Sequence, residues 1–242
     1  MSQLITNYTS IYDARLKDLD KLIETPNIIK QQALSTLKKL KVSKKLYHID
    51  RTTVEQGIKV LDNISSGSIC DNYRIIYAQL CVLATSVLEA ILKEYFIEAI
   101  SNVKNLNTNN ERLANIKITA ADLVDHKLDY TLEFPRLILE NEKNAFQNLK
   151  KLKELFKAYL NKTTTLDDNT EKQVIFYLEC RHAIVHKGSM ADANFIRNIT
   201  SYKRANLKKY KIKDRIDLSE QDWNNIKCSY RKLVENLTKR TN

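Results

Sequence analysis

The chain has 242 residues, of which 43% are hydrophobic and 29% charged, and its 40 Lys and Arg against 29 Asp and Glu give a formal charge of +11. This balance excludes a disordered chain and predicts a core large enough for one sizeable domain or two small ones. Only three Gly and two Pro occur, which disfavours hairpins, Gly-rich phosphate loops and Rossmann turns. The composition therefore predicts an all-α protein.

The first quarter of the chain has the apolar spacing of amphipathic helices. Apolar residues recur every three to four positions over 4–23 and again over 28–40. Thr25 and Pro26 lie between these stretches, and Thr as an N-cap followed by Pro predicts that one helix ends there and a second begins. A third, short helix is predicted at 52–64. We treat residues 1–64 as an N-terminal helical extension and 65–242 as the main helical domain, with one continuous domain as the alternative.

The middle of the chain is dominated by one apolar segment. After a turn at 65–68, residues 73–100 predict a long, buried helix. Four charged residues interrupt its apolar stretch, and the N-terminus lacks the pattern of a secretory signal, so we expect no membrane crossing and a cytoplasmic protein. The Asn-rich stretch 102–115 predicts an exposed connection. Residues 127–139 are expected to be irregular around Pro135.

Three further helices are predicted toward the C-terminus, over 146–160, over 170–187 and from Ser219 to about Leu237. Gly188 stands where a left-handed C-terminal cap is expected. Ser219 and Asp222 form a capping-box-like pair at the start of the last helix. The four cysteines are scattered with no CxxC pair, which favours reduced thiols over a disulfide framework or zinc site.

Positive charge is concentrated near the C-terminus. Residues 196–242 contain 13 of the Lys and Arg residues but only five acidic residues. Tyr202 and Tyr210 are interleaved with these cations, as on a surface that follows a phosphate backbone and stacks bases. RNA is the predicted partner, and a solvated helical face is the alternative. The residues predicted to bind RNA are Lys187, Lys203, Arg204, Lys208, Lys209 and Lys211.

The stretch from Glu179 to Gly188 is the one most suggestive of chemistry. It contains Arg181, His182, His186 and Lys187 at the end of one predicted helix. Cleavage of RNA without a metal needs a base that titrates near neutral pH and a cation for the charged phosphorane, and His with Arg supplies both. Arg181 and His186 are five residues apart, about 140° around a helix axis, so the long Arg side chain, a loosened last turn or a second copy of the chain must bring them together.

Other interpretations of this stretch remain open. His182 and His186 could ligate one metal ion, although two ligands are too few and no third is evident. They could instead cap the helix end by binding backbone carbonyls. Cys180 beside His182 is a conceivable nucleophile, but adjacent helical residues point about 100° apart. Spacing alone does not choose among these interpretations.

The pattern from Arg181 through His186 resembles the Rx4–6H motif of the HEPN superfamily, all-helical ribonucleases and RNA- or nucleotide-binding domains. Residues 77–90 are similar to the first core helix of that family, which in related groups carries a glutamate where this chain has Glu89. The resemblance covers roughly residues 72–237. Gly188, Asp192 and residues 212–218 are similar to the continuation of the family beyond its motif.

The resemblance implies a HEPN-like core of four to five helices, with 1–64 lying outside it. It further implies a homodimer whose motif helices face each other and a composite endoribonuclease site that needs no metal or other cofactor. Arg181 and His186 would be the catalytic pair, His182 a polar assistant, and Glu89 either a further catalytic residue or a buried salt-bridge partner of Arg181.

A toxin or anti-phage defence effector, with a possible neutralising antitoxin, is the role that the resemblance implies. The expected activity is cleavage through the 2′-hydroxyl, leaving 2′,3′-cyclic phosphate ends. The first alternative is a non-catalytic HEPN-like domain that binds RNA, a nucleotide or a protein partner. The second is a purely structural helical protein, in which replacing Arg181 and His186 would lower stability.

Overall fold

The computed structural model describes residues 2–42, 51–63, 68–101, 112, 116, 130–142, 144–200 and 210–238. These residues form eight α-helices and contain no strand, which confirms the prediction of an all-α bundle. A 3₁₀ turn, Ala145–Gln147, precedes the fifth helix. The helices are α1 Ser2–Val42, α2 Arg51–Asn63, α3 Ser68–Ser101, α4 Tyr130–Asn141, α5 Leu149–Leu160, α6 Asp168–His186, α7 Ala193–Thr200 and α8 Glu220–Thr238.

The central helix α3 packs against α1, α4, α5, α6 and α8. Its 28-residue segment Arg74–Ser101 is long and apolar enough to cross a membrane by length and composition, and 56% of its most apolar window is buried inside the fold. A core helix of a soluble protein meets the same criterion, so this finding leaves the expected cytoplasmic location a prediction. Leu80, Leu88, Ile91 and Phe96 are almost completely buried. Burial of such side chains is the main favourable contribution to folding.

Helix directions are set by contacts near the helix ends. Lys232, late in α8, lies 3.5 Å from the Asp167 carboxylate at the start of α6, whereas the Tyr177 hydroxyl donates to Asp222 at the start of α8. These two helices are therefore antiparallel. Arg74 lies 3.5 Å from Asp217, just before α8, and Thr85 and Tyr230 hydroxyls share a 3.0 Å hydrogen bond. Helix α3 thus runs parallel to α8 and antiparallel to α6.

The first helix is continuous, so the predicted break at Thr25 and Pro26 is wrong. Proline costs a helix one N–H donor and leaves the carbonyl four residues earlier without its helical partner. Leu22, which carries that carbonyl, is exposed, so water can satisfy it. The Thr25 hydroxyl donates to the Lys21 carbonyl at 2.6 Å and supports the same turn. A proline can therefore be tolerated within a helix where the carbonyl four residues earlier belongs to an exposed residue.

The first half of α1 belongs to the same hydrophobic core as the other helices. Tyr8, Tyr12 and Leu16 are buried in it. Asp20 accepts a 2.7 Å hydrogen bond from the indole Nε1 of Trp223 and lies 2.9 Å from Lys227, which attaches α1 to α8. Beyond this point α1 packs on α2. The short helix predicted at 52–64 is confirmed as α2.

Two predictions for the middle of the chain are corrected. Residues 130–141 form α4 with Pro135 inside it, where an irregular segment was expected. Pro135, Leu137 and Ile138 are buried, so packing outweighs the helical hydrogen bond that proline forfeits. The helix predicted at 146–160 is divided into a 3₁₀ turn and α5. The expected Asn-rich connection at 102–115 lies outside the described residues, apart from Arg112.

Candidate functional site

Helix α6 carries the predicted catalytic motif and is anchored at both ends. Its N-cap, Asp167, accepts hydrogen bonds from the backbone N–H and the hydroxyl of Thr170 at 2.9 and 2.6 Å. At its other end Gly188 has a left-handed φ of +58°, which confirms the predicted cap. The carbonyl of Ala183 accepts N–H groups from Lys187 and Ser189. The motif residues therefore sit on a regular helix with a defined end.

His182 and His186 form an exposed pair on one face of α6. Their ring centroids are 4.8 Å apart, with the ring planes inclined by 48°. This separation follows from their spacing of four residues, which stacks side chains on consecutive turns. Two imidazoles at this distance can contact one substrate group, or the two ends of one bond, at the same time.

Arg181 faces another direction. It lies one turn beyond Tyr177, whose carbonyl accepts from the Cys81 thiol at 3.6 Å, so it belongs to the face of α6 turned toward α3. Burial and the charge of Asp222 raise the pKa of Cys81 to about 12, and the nearby guanidinium of Arg181 opposes this shift. The Nε atom of Arg181 is buried without a hydrogen-bond partner among the residues that the structure describes.

Arg181 and His186 lie on different faces of α6. The last turn of α6 is not loosened, since Lys187 donates to Ala183 with the ordinary helical spacing at 2.9 Å. The two side chains therefore remain about 140° apart around the axis. Of the three ways of uniting them that the sequence left open, loosening of the helix end is ruled out. A second copy of the chain, or extension of the Arg181 side chain, remains.

Glu89 lies far from the motif. Helices α3 and α6 are antiparallel and touch where Cys81 contacts Tyr177. From this contact, Glu89 lies eight residues along α3, toward the start of α6, whereas Arg181 lies four residues along α6, toward its end. The offset is about 18 Å along the axes at 1.5 Å per residue. Glu89 instead forms a 3.9 Å ion pair with Lys93. Its other oxygen is buried without a hydrogen-bond partner in the described part of the chain. The interpretation of Glu89 as a salt-bridge partner of Arg181 is wrong.

The structure describes two of the six residues predicted to bind RNA, Lys187 and Lys211. Lys187 is about half exposed and lies 3.7 Å from the Asp192 carboxylate, so a nearby acid offsets its charge. Lys211 is exposed, beside the turn in which its backbone N–H donates to Asp214 at 2.7 Å. Lys203, Arg204, Lys208 and Lys209 lie outside the described residues.

A pocket of about 110 Å³ adjoins the histidine face and was missed by sequence reasoning. It lies between α6, α7 and the start of α5. Glu179, three residues before His182, is its acidic residue. Burial raises the pKa of Glu179, whereas a hydrogen bond from Asn198 and the charge of His182 lower it. The lining residues are Gln147, Asn148, Leu149, Lys150, Ile175, Leu178, Glu179 and Asn198.

The pocket was missed because its residues come from three separate segments. Helix α7, which contributes Asn198, was not predicted at all, although Asp192 is a recognisable N-cap whose carboxylate accepts from the Phe195 N–H at 2.8 Å. The position of Glu179 one turn before His182 was the available signal. It indicates a shared helix face but gives no sign of what lies opposite that face.

Two alternative chemistries can be compared with the geometry. Cys180 is completely buried, so its thiol cannot reach a substrate in solution. Among the described residues, no cluster of three or more His, Cys, Asp or Glu side chains is arranged to hold a metal ion.

Comparison with known proteins identifies no match to a family model, a curated protein or a solved structure.

Proposed function

We propose that this chain is an endoribonuclease that cleaves RNA through its 2′-hydroxyl and leaves 2′,3′-cyclic phosphate ends without a metal ion. The observation that carries the proposal is the exposed pair His182 and His186, 4.8 Å apart at the end of α6. The resemblance of the motif to HEPN ribonucleases supports the same function. It also suggests a toxin or anti-phage role with a neutralising partner protein.

The two imidazoles suit the proton transfers of this reaction. One neutral imidazole removes the proton of the 2′-hydroxyl as its oxygen attacks phosphorus, and a protonated imidazole gives a proton to the departing 5′-oxygen. The P–O5′ bond breaks as the cyclic phosphate forms, so no other reactant is needed. His182 and His186 are proposed to share the two roles, one as the base and the other as the acid.

Arg181 is proposed to bind the scissile phosphate, with two copies of the chain completing the site. A guanidinium is suited to the charge that develops on the phosphorane. Since Arg181 and His186 diverge within one chain, the arginine of one protomer is proposed to act with the histidines of the other. Among the described residues, exposed apolar side chains lie near this end of the bundle, which supports an interface there. They include Ile75, Val185, Met190 and Ile212.

The proposal is tested with purified wild type and the Arg181→Ala/His186→Ala double variant, each incubated with total RNA in EDTA. Wild type is expected to produce fragments with 2′,3′-cyclic phosphate ends, and the double variant to produce none. His48→Ala is a suitable control because it removes a histidine outside the motif. Fragments from the double variant at the wild-type rate would contradict the proposal.

Intact RNA that is nevertheless bound by the folded wild type would favour the second function, a non-catalytic RNA- or nucleotide-binding domain. The divergence of Arg181 and His186 within one chain is the observation that favours this alternative. Loss of binding on charge reversal at Lys211 would then be the relevant measurement, together with a weaker salt dependence.

A further inference from the structure

We infer that the pocket lined by Glu179, Asn148 and Asn198 binds a guanine base. The inference assigns a ligand class to a cavity that the proposed reaction does not use. It rests on the proposed function only in taking the guanine to be part of an RNA strand cleaved beside it. The hydrogen-bonding groups of the pocket, its apolar surface and its position beside the histidine pair support this assignment.

The acceptor in the pocket is a carboxylate. Guanine presents two adjacent donors on its Watson–Crick edge, N1–H and N2–H, whereas adenine and cytosine present one donor beside an acceptor and uracil one donor between two acceptors. A carboxylate has two oxygens with about four acceptor positions and no donor when ionised. Glu179 can therefore accept both guanine donors while it keeps its hydrogen bond from Asn198.

The donors in the pocket are side-chain amides. Asn148 is the N-cap of α5, and its Oδ1 accepts from the Lys151 backbone N–H at 3.1 Å. That bond orients the amide and leaves its NH₂ group as the part able to contact a ligand. An NH₂ donor complements the O6 acceptor of guanine. Gln147, also exposed at the pocket, supplies a second amide.

Apolar side chains give the pocket a surface for a ring. Ile175 and Leu178 line it beside the polar groups, and both are largely buried by the rest of the fold. A flat base can cover such a surface while its edge meets the amides and the carboxylate. Lys150, exposed at the mouth, can contact a phosphate of the same nucleotide.

The position of the pocket connects it to the proposed chemistry. Glu179 and His182 are three residues apart on α6, so their side chains are neighbours about one helical turn apart. Burial raises the pKa of Glu179, and the nearby His182 opposes this shift. A guanosine with its base at Glu179 would have its ribose and phosphate directed along this face toward the histidine pair. Cleavage is therefore expected next to guanosine.

The test measures binding of GMP, AMP, CMP and UMP by calorimetry and by ¹⁵N NMR titration. We expect GMP to bind at least about ten-fold more tightly than the other three, as expected for one well-formed bidentate contact. The isosteric Glu179→Gln variant should lose this preference, and Glu171→Gln should keep it. Glu171 lies on the same helix but pairs with Lys153 at 2.7 Å, outside the pocket. Thermal melts verify that both variants fold.

Two results would overturn the inference: equal binding of GMP and AMP by wild type, or an unchanged GMP preference in folded Glu179→Gln. The source of the base is distinguished with fully 2′-O-methylated RNA pentamers that contain one guanosine, bound to wild type, because they lack the 2′-hydroxyl that the proposed cleavage requires. Tighter binding of the pentamer than of GMP assigns the pocket to RNA, and equal binding assigns it to a free guanine nucleotide. Because these assays measure binding alone, absence of ribonuclease activity would contradict the proposed function and leave the guanine assignment standing.

Discussion

At the scale of single residues, the buried guanidinium of Arg181 leads to a prediction that distinguishes a functional role from a structural one. A buried donor without a partner costs free energy, about 1–3 kcal/mol for a neutral group and more for a charged one. The Nε atom of Arg181 is such a donor among the described residues. A side chain that stabilised the fold would be expected to have its hydrogen bonds satisfied. Under the proposed function, the bound phosphate would complete the hydrogen bonding of Arg181.

Replacement of Arg181 by Met is expected to leave the free energy of unfolding within about 1 kcal/mol of wild type, or to raise it, because the unsatisfied donor is removed and the apolar stem is kept. RNA cleavage is expected to be lost in the same variant. Urea denaturation and the EDTA cleavage assay measure the two effects. A large loss of stability would instead support the purely structural interpretation of the motif.

The N-cap of α6 predicts a defined pH dependence. Hydrogen bonds from Thr170, followed by the charge of Lys232, lower the pKa of Asp167 from 3.8 to about 2. A carboxylate whose pKa is lower in the folded state stabilises the protein fully above its unfolded pKa and ceases to do so as pH falls through the folded pKa. This contribution is therefore present above about pH 4 and disappears toward pH 2.

Asp167→Ala is accordingly expected to lower the melting temperature by about 2–4 °C at pH 6, with the difference from wild type shrinking between pH 4 and pH 2. Asp167→Asn is the matched variant, because an amide can cap the helix without titrating. At pH 6 its melting temperature should lie closer to that of wild type than the melting temperature of Asp167→Ala does. Calorimetric melts over this pH range make the comparison. A difference that did not change with pH would contradict the assignment of this ionisation to Asp167.

At the scale of helices, α1 is attached to the core through Asp20. The carboxylate accepts from the buried indole of Trp223 and pairs with Lys227. Asp20→Ala is expected to lower the free energy of unfolding by about 1.5–3 kcal/mol, since a hydrogen bond to a charged group is lost and the indole N–H has no replacement acceptor. Asp18→Ala, two residues earlier on the exposed side of α1, should leave the melting temperature unchanged. Equal melting temperatures for the two variants would contradict the attachment.

Much of the helical pattern was predictable because it depends on neighbours along the chain. Apolar spacing identified α2, α3, α6 and α8, and Gly188 and the Ser219–Asp222 pair marked ends that the structure confirms. The two prolines led to wrong predictions because the hydrogen bond that a proline costs can be read from the sequence, whereas the compensation cannot. Solvent at the exposed Leu22 compensates for Pro26, and packing compensates for Pro135. The pocket was not predicted for a related reason. Its lining residues come from three segments that are distant in sequence and lie together only in the folded chain.

The site itself was predictable only in part. Spacing correctly put His182 and His186 on one face and gave the angle between Arg181 and His186. It could not determine that α3 runs antiparallel to α6, and this direction alone separates Glu89 from the motif. Relative direction of distant helices depends on contacts such as Tyr177 with Asp222, which no local pattern contains.

At the scale of the whole molecule, the proposed two-copy site predicts complementation between inactive variants. A dimer with one Arg181→Ala protomer and one His186→Ala protomer contains one site with both an arginine and a histidine, if each site combines the two protomers. The purified mixed dimer, prepared by coexpression with two different tags, is expected to cleave RNA at about half of the wild-type rate per dimer. Each parental dimer should be inactive. An inactive mixed dimer would contradict a composite site.

The hydrogen bond between Trp223 and Asp20 has an optical consequence. Trp223 is the only tryptophan in the chain and is 2% exposed, so all indole fluorescence comes from the contact between α1 and α8. Water reaching this indole would shift its emission to longer wavelength. The protein thus carries an intrinsic fluorophore at the junction between its first helix and its last, and separation of these two helices can be followed without a label.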